Sequence, residues 1–197
     1  MKPPFLQSLL LALLALALIP VSAQTSAIDP DLLAKANAGD VAAQVQMGDN
    51  FRAFGDAVPH NPRLSSEYYN QAIAWYRKAA DQGSIAGQMH LAALYRDGGK
   101  GFARDMAQAA EWYRKAAEQG DVTAQASLGV LYSIGQGVPH DDMEAYFWLD
   151  LAASVKGPNQ EKYAANRQMV GTHITTEQLE EVQDRVAAWI AAHPRPQ

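Results

Sequence analysis

The chain of 197 residues contains no cysteine. No disulfide can fasten it, no thiol can act as a nucleophile, and no lipid can be joined through sulfur, so its core must hold by burial alone. Basic residues are the scarcer charge: 16 Lys and Arg stand against 21 Asp and Glu, for a net charge of −5. They are spread as pairs, Arg77-Lys78 and Arg114-Lys115, with Asp81, Glu111 and Glu118 at spacings where surface ion pairs form on a helix. A nucleic-acid binder needs clustered cations to replace condensed counterions, so that class of partner is not expected.

Catalytic signatures are missing as well. Ser154-Val155-Lys156 is one residue short of a Ser-x-x-Lys nucleophile, and there is no Gly-x-Ser-x-Gly, no His-Glu-x-x-His and no Gly-x-x-x-x-Gly-Lys-Ser/Thr. Gly98-Gly99-Lys100-Gly101 reads as a turn needing positive φ, not as a phosphate cradle. His60 and His140 sit in similar Val-Pro-His turns, and His140-Asp141-Asp142 offers too few convergent ligands for a metal. No catalytic residue, metal or cofactor is therefore assigned.

What is present begins with an export signal. Lys2 precedes an apolar run from Leu9 to Ile19, and Pro20-Val21-Ser22-Ala23 places small residues where a signal peptidase reads, so cleavage is expected after Ala23. The run is too short to span a bilayer comfortably as a permanent helix, which needs roughly 20 apolar residues. Loss of Lys2 with this segment makes the remaining chain one unit more negative. A bacterial periplasm or extracellular space is the expected compartment, with no lipid anchor and no permanent membrane span.

The strongest feature is repetition. Trp75-Tyr76-Arg77-Lys78-Ala79-Ala80-Asp81-Gln82-Gly83 recurs as Trp112-Tyr113-Arg114-Lys115-Ala116-Ala117-Glu118-Gln119-Gly120. A second shared pattern follows each such end: Gly39, Gln44, Met47-Gly48, Phe51; Gly83, Gln88, Leu91-Ala92, Tyr95; Gly120, Gln125, Leu128-Gly129, Tyr132. Trp148 and Ala152-Ala153 mark a degenerate third copy, with Leu149-Asp150-Leu151 in place of Tyr-Arg-Lys. Fixed periods of roughly 20–50 residues mark solenoids, whose units bury their apolar faces only against neighbours.

The unit Gly-x-x-x-Ala-Gln-x-x-Leu-Gly-x-x-Tyr, then Gly-x-Gly-Val-x-x-Asp, then Ala-x-x-Trp-Tyr-x-Lys-Ala-Ala-x-Gln-Gly, resembles the Sel-1-like repeat, a relative of the tetratricopeptide repeat. Gly120, Ala124, Gln125, Leu128, Gly129, Tyr132, Gly135, Gly137, Val138 and Asp141 all match in the third copy. The resemblance implies an all-α, right-handed solenoid of three helix-turn-helix repeats that scaffolds protein complexes without catalytic residues. Its cysteine-rich secreted branch, to which β-lactamase-like activity has been attributed, differs from this cysteine-free chain. The expected organisation is a signal peptide at 1–23, a lead-in at 24–38, repeats at about 39–82, 83–119 and 120–155, and C-terminal cap helices with a tail at 156–197.

Within a unit the first helix should run from the start glycine to the aromatic and the second through the Trp-Tyr segment. Ala124, Leu128, Leu131 and Tyr132 share one helical face, as do Ala109, Trp112, Tyr113 and Ala116. Gly48, Ala92 and Gly129 occupy one repeat position, where a small side chain would let the paired helix approach closely. The interval from Phe51 to Trp75 is about seven residues longer than its counterparts, and Pro59 and Pro62 predict a long non-helical loop with a helix start near Ser65-Ser66-Glu67. After Ala153 the repeat stops. Thr175 and Gln178 then predict a capped last helix whose apolar stripe, Leu179, Val182, Val186 and Trp189, covers the solenoid end.

In related superhelices the first helices line the concave face. The candidate partner-binding residues there are Gln46, Asp49, Asn50 and Ala53, then His90, Ala93 and Asp97, then Ser127, Val130 and Ile134. This stripe grades from polar to apolar. Val130 and Ile134 are expected under the C-terminal cap, with an exposed patch for a partner helix or peptide as the other reading. The sequence thus points to a non-enzymatic scaffold, monomeric alone, that binds an envelope protein or peptide in its groove. The alternative is a cell-envelope enzyme, β-lactamase-like or peptidoglycan-acting, built on the same repeats.

Overall fold

The computed structural model describes residues 28–99 and 101–194. The expected signal segment, Lys100 and residues 195–197 lie outside the described residues. The chain divides into two compact units between Arg104 and Asp105. The first holds α1 (Pro30–Asn37), α2 (Val41–Ala57), α3 (Pro62–Asp81) and α4 (Ile85–Asp97). The second holds α5 (Met106–Glu118), α6 (Val122–Ile134), α7 (Asp142–Ala153), α8 (Gln160–Gly171) and α9 (Thr176–Ala192).

The helices begin where they do because short polar side chains cap them. Asp29, Asp40, Asn61, Ser84, Asp105, Asp121, Asp141 and Thr175 each accept a hydrogen bond from a first-turn backbone N–H. Each such cap is worth about 1 kcal/mol, and an aspartate there also meets the positive end of the helix dipole. Much of the acidic excess is therefore structural. At the other ends, Gly39, Gly83 and Gly120 take positive φ of 98°, 84° and 89°. The following residue then bonds back to the helix it has just left: Asp40 to Lys35, Ser84 to Ala79 and Asp121 to Ala116.

The repeat glutamines join one helix to the next. The buried Gln44, Gln88 and Gln125 side chains donate to the carbonyls of Ala36, Ala80 and Ala117, at 3.1, 3.5 and 3.2 Å. These carbonyls lie in the last turn of a helix, and each also accepts from the backbone N–H of the glycine that follows, Gly39, Gly83 or Gly120, so the glutamine fills the second lone pair. A pattern that reads in sequence as a marker is a physical splice between units.

Close approach accounts for the small repeat position. A Cβ at Gly48 would overlap the Tyr76 ring, and one at Gly129 would lie 2.7 Å from Leu149 Cγ and 3.0 Å from the Ala145 carbonyl oxygen. The Trp-Tyr-Arg-Lys segment divides its labour. Trp75 and Trp112 are buried under Lys78 and Lys115, whose ammonium groups stand 3.8 and 3.9 Å from the ring centroids. Arg77 and Arg114 reach the hydroxyls of Tyr95 and Tyr132. Lys115 also pairs with Glu111 at 3.1 Å.

Two expectations about local structure are corrected. The interval between Phe51 and Trp75 is not a long loop: α2 and α3 are each extended, to 17 and 20 residues, and only residues 58–61 lie between them. Pro62 sits at the first helical position, where its missing N–H costs nothing, and Asn61 rather than Ser65 caps the helix by accepting from Leu64 N. Ser65 is instead buried, donating to the Gly55 carbonyl at 2.9 Å. The glycine-rich stretch folds as expected for a turn, with Gly98 and Gly101 at φ of 65° and 82°.

One contact of the repeat recurs beyond Ala153. Gln160 donates to the Ala153 carbonyl at 3.1 Å, as the earlier glutamines do to their helices. Counting from it, Tyr163, Ala164, Arg167 and Met169 occupy the places of Leu128, Gly129, Tyr132 and Ile134. Helix α8, beyond the three repeats, thus shares one contact with the first helices, and it packs against α7. Helix α9 carries the expected capping box at Thr175 and Gln178 and packs on α7 through the buried Val182 and Val186. Arg185 ties it there by pairing with Glu144 and standing 4.9 Å over the Phe147 ring.

Candidate functional site

The first helices present equivalent positions in succession: Gln46, His90 and Ser127; Asp49, Ala93 and Val130; Ala53, Asp97, Ile134 and, counting from Gln160 in α8, Met169. The two compact units place them in different surroundings.

In the first unit Asp49 and His90 come together. Tyr76, fully buried, donates its hydroxyl to Asp49 Oδ1 at 2.6 Å, and its ring stacks on the His90 imidazole with centroids 4.8 Å apart. His90 Nδ1 stands 3.6 Å from the same carboxylate oxygen. Burial first, then the hydrogen bond to Asp49 and that residue's charge, push the Tyr76 hydroxyl far above its ordinary range. Beside this trio lies a cleft of about 140 Å³ that includes Arg52, Asp56, Tyr69, His90 and Asp97. Tyr69 donates to Asp56 at 2.5 Å and is pushed up to about 12, chiefly by burial and then by that bond, with Arg52 acting the other way. Arg96 grips its neighbour Asp97 with two bonds of 2.7 and 2.9 Å and so lowers that carboxyl's pKa.

Gln46 shares an opening of about 490 Å³ with Asp49, Val45 and Ser84, and it meets Asn50 in another. That second opening, of about 440 Å³ between α1 and α2, is also lined by Leu32, Lys35 and Asp40. Gln46 is exposed and Asn50 half-buried.

In the second unit Ser127 and Val130 are half-buried, and Ile134 is 54% exposed. The expectation that Ile134 lies under the C-terminal cap is therefore wrong: α9 goes to α7, and α8 lies beside α6 without covering the side chain. Met169, at the equivalent position of α8, is 64% exposed. Between these two side chains opens a cleft of about 260 Å³, walled also by Val130, Leu149 and Val170 and edged by Asp142, Asn166 and His173. Asp142 Oδ1 lies 3.3 Å from His140 Nε2 and 3.6 Å from His173 Nδ1. Among the described residues no cluster of His, Asp and Glu is arranged to hold a metal ion.

Several residues of these clefts escape a reading from sequence. Arg52 and Asp56 follow Asp49 at helical spacing on one face, a signal that was available. Tyr76 reads as packing because it lies inside the repeated motif. Met169 becomes visible only when Gln160 is aligned with Gln125.

Paired helices closed by positive-φ glycines, and spliced by a buried glutamine, define an all-α helical-repeat protein of the solenoid class. The chain belongs to the Sel1 repeat family, whose model matches residues 41–84, 85–121 and 122–154. Among solved structures it is similar to a Sel1 repeat protein from Oxalobacter formigenes, at 32% identity and a TM-score of 0.53, over 67% of this chain and 92% of that one. It is also similar to c5321, a protective antigen present in uropathogenic Escherichia coli strains displaying an SLR fold, at 26% identity and a TM-score of 0.54. That match covers 81% of this chain and only 40% of the antigen's length. None of the curated proteins compared with the chain matches it. Sel1 repeat proteins are generally protein-interaction scaffolds, and the fold is typically non-catalytic. Among the described residues no helix is long and apolar enough to cross a membrane.

Proposed function

We propose that the chain is an exported, non-enzymatic scaffold or adaptor that holds a partner protein or peptide along the first-helix face of its repeats. One pair of side chains carries this reading: Ile134 of α6 and Met169 of α8 are 54% and 64% exposed and line one apolar cleft. Scattered exposed apolar residues are ordinary, but two large ones flanking a shaped cleft mark an interaction site. Export to the periplasm or beyond is supported by the apolar run Leu9 to Ile19 and the small residues before Ala23.

The shifted titratable groups in and beside the first-unit cleft are committed to partners there. Tyr69 and Tyr76 are bonded to Asp56 and Asp49 and pushed away from the neutral range, and Asp97 is held by Arg96. A general acid or base works best with a pKa near the operating pH, and none of these three is so placed. Nitrocefin turnover by the purified chain would overturn the non-enzymatic reading.

Affinity capture from envelope extract tests the face itself. The parent chain should retain a stoichiometric partner, a Lys162→Glu control on the exposed side of α8 should keep it, and Ile134→Glu/Met169→Glu should lose it. A partner kept by the double variant moves binding off this face. Recovery of tagged chain only from cytoplasm would sink the export assignment.

A further inference from the structure

The second-unit cleft carries an indication of what its guest looks like. Its walls are apolar, but one edge is Asp142, in the first turn of α7. The other carboxylates of α7 nearby already have cations: Asp150 is paired with Arg167 at 2.5 Å, and Glu144 with Arg185. Asp141 is spent as the helix cap. Asp142 has neither role. Among the described residues it has no Lys or Arg within ion-pair distance; its neighbours are the two imidazoles of His140 and His173, and its Oδ1 accepts no hydrogen bond. That oxygen is buried, and the His173 side chain, itself 59% exposed, lies 3.6 Å from it, so a guest cation reaches the carboxylate by displacing His173.

Resting on the first-helix face as the binding face, we infer that this cleft receives a segment of a partner protein that presents one large apolar side chain beside a Lys or Arg. The apolar side chain seats between Ile134 and Met169, where Met supplies an adaptable wall. The cation meets Asp142. Complementarity of charge decides the polar half of the assignment. A chain of net charge −5, with a carboxylate that lines an apolar cleft and faces two imidazoles but no Lys or Arg among the described residues, favours a basic over an acidic guest and gains most from a donor that also carries charge.

A display library of random twelve-residue peptides, selected on the immobilised full chain, tests this. Selected peptides should be enriched in a large apolar residue within one helical turn of Lys or Arg. Against a synthesised winner, Ile134→Glu should weaken binding by roughly tenfold or more. Asp142→Asn should weaken it by roughly three- to tenfold and reduce its salt dependence, and replacing the peptide's basic residue by Met should then cost nothing further. Ile134 is mostly exposed and Asp142 caps nothing, so both variants should fold, which far-UV circular dichroism checks. Met169→Glu should reproduce the Ile134 effect.

Enrichment of apolar residues without a basic one, or affinity unmoved by Asp142→Asn, overturns this inference while leaving the first-helix face in place. Affinity unmoved by Ile134→Glu and Met169→Glu sinks both readings, as does a lack of any enrichment. A dimer in sedimentation that Ile134→Glu dissociates, or peptide binding seen only after residues 1–23 are removed, would give the cleft to a second copy or to the chain's own apolar run and overturn the partner assignment.

Discussion

Asp150 of α7 pairs with Arg167 of α8 at 2.5 Å, at the repeat position where Arg77 bonds Tyr95 and Arg114 bonds Tyr132. The two roles have been exchanged: the second helix supplies the acceptor and the following first helix the cation. The interaction survives though neither residue matches the motif. Because both members changed together, each alone should be a poor fit to the other pattern.

Asp150→Arg or Arg167→Tyr alone should therefore destabilise the second unit by about 1–3 kcal/mol, since either leaves a partly buried charge without its partner. The double variant, which restores the Arg–Tyr pair of the earlier units, should return to within about 1 kcal/mol of the parent. Urea unfolding of the four proteins measures the cycle. A double variant as unstable as the sum of the singles would show that the exchanged pair is not equivalent.

Gly129→Ala should cost about 1–3 kcal/mol despite the better helix propensity of alanine. The new methyl would meet Leu149 Cγ at 2.7 Å, but also the Ala145 carbonyl oxygen at 3.0 Å and Leu149 N at 3.1 Å, and backbone cannot move as a side chain can. The urea midpoint should fall without a large change in slope.

Asp49→Ala should destabilise the first unit by about 1–3 kcal/mol, because the Tyr76 hydroxyl would lose its acceptor inside the core. Asp49→Asn keeps an oxygen there and should cost less. This makes Asp49 a residue whose variants report packing as well as binding, whereas Gln46 and Asn50 are the cleaner probes of the first-helix face. A thermal melt of each variant precedes any binding comparison.

The Tyr69 hydroxyl gives a pH signature. Its folded pKa is about 12, above the ordinary value of 10, so the folded state holds this proton more tightly than the unfolded chain. The resulting stability is fully present below pH 10 and is lost as pH rises from 10 through 12. Denaturation at pH 8, 10.5 and 11.5 should show a steeper alkaline decline for the parent than for Tyr69→Phe. Parallel declines would remove Tyr69 as a contributor.

Gln125→Glu should destabilise strongly near neutral pH, by about 2–4 kcal/mol, because a buried carboxylate would replace the amide that donates to the Ala117 carbonyl. Burial raises the pKa of such a carboxyl, so stability should recover as pH falls and the group regains a proton to donate. Gln125→Leu should show no such recovery.

Much of this architecture is legible in the residues. The Trp-Tyr segments, the small position at Gly48 and Gly129, and the Thr175–Gln178 capping box are local patterns, and local patterns carry their geometry with them. Three things were not. Pro62 looks like a breaker unless Asn61 is recognised as a cap one residue earlier, and then the same proline starts a helix. The likeness of α8 to a first helix hides because Arg167 and Asp150 depart from the motif as a pair. The exposure of Ile134 depends on where α9 goes, and an apolar stripe says that a helix must pack without saying on which neighbour. The candidate site suffers from this last point most, since Met169 and Asp142 become relevant only once α9 is known to leave the cleft open.

The glutamine splices bear on how the chain is made as well as on how it stands. Helices α1, α3, α5 and α7 each have a last-turn carbonyl bonded by a glutamine seven or eight positions further on, Gln44 for Ala36, Gln88 for Ala80, Gln125 for Ala117 and Gln160 for Ala153. Short-range closures of this kind are cheap in loop entropy and fast. A chain delivered N-terminus first, from a ribosome or through a narrow translocation channel, can finish each junction shortly after it emerges. Two longer closures wait for later helices: Gln82 at the end of α3 reaches back 43 positions to the Gly39 carbonyl, and Arg185 of α9 reaches back 41 to Glu144, so these contacts form only after the local junctions are complete.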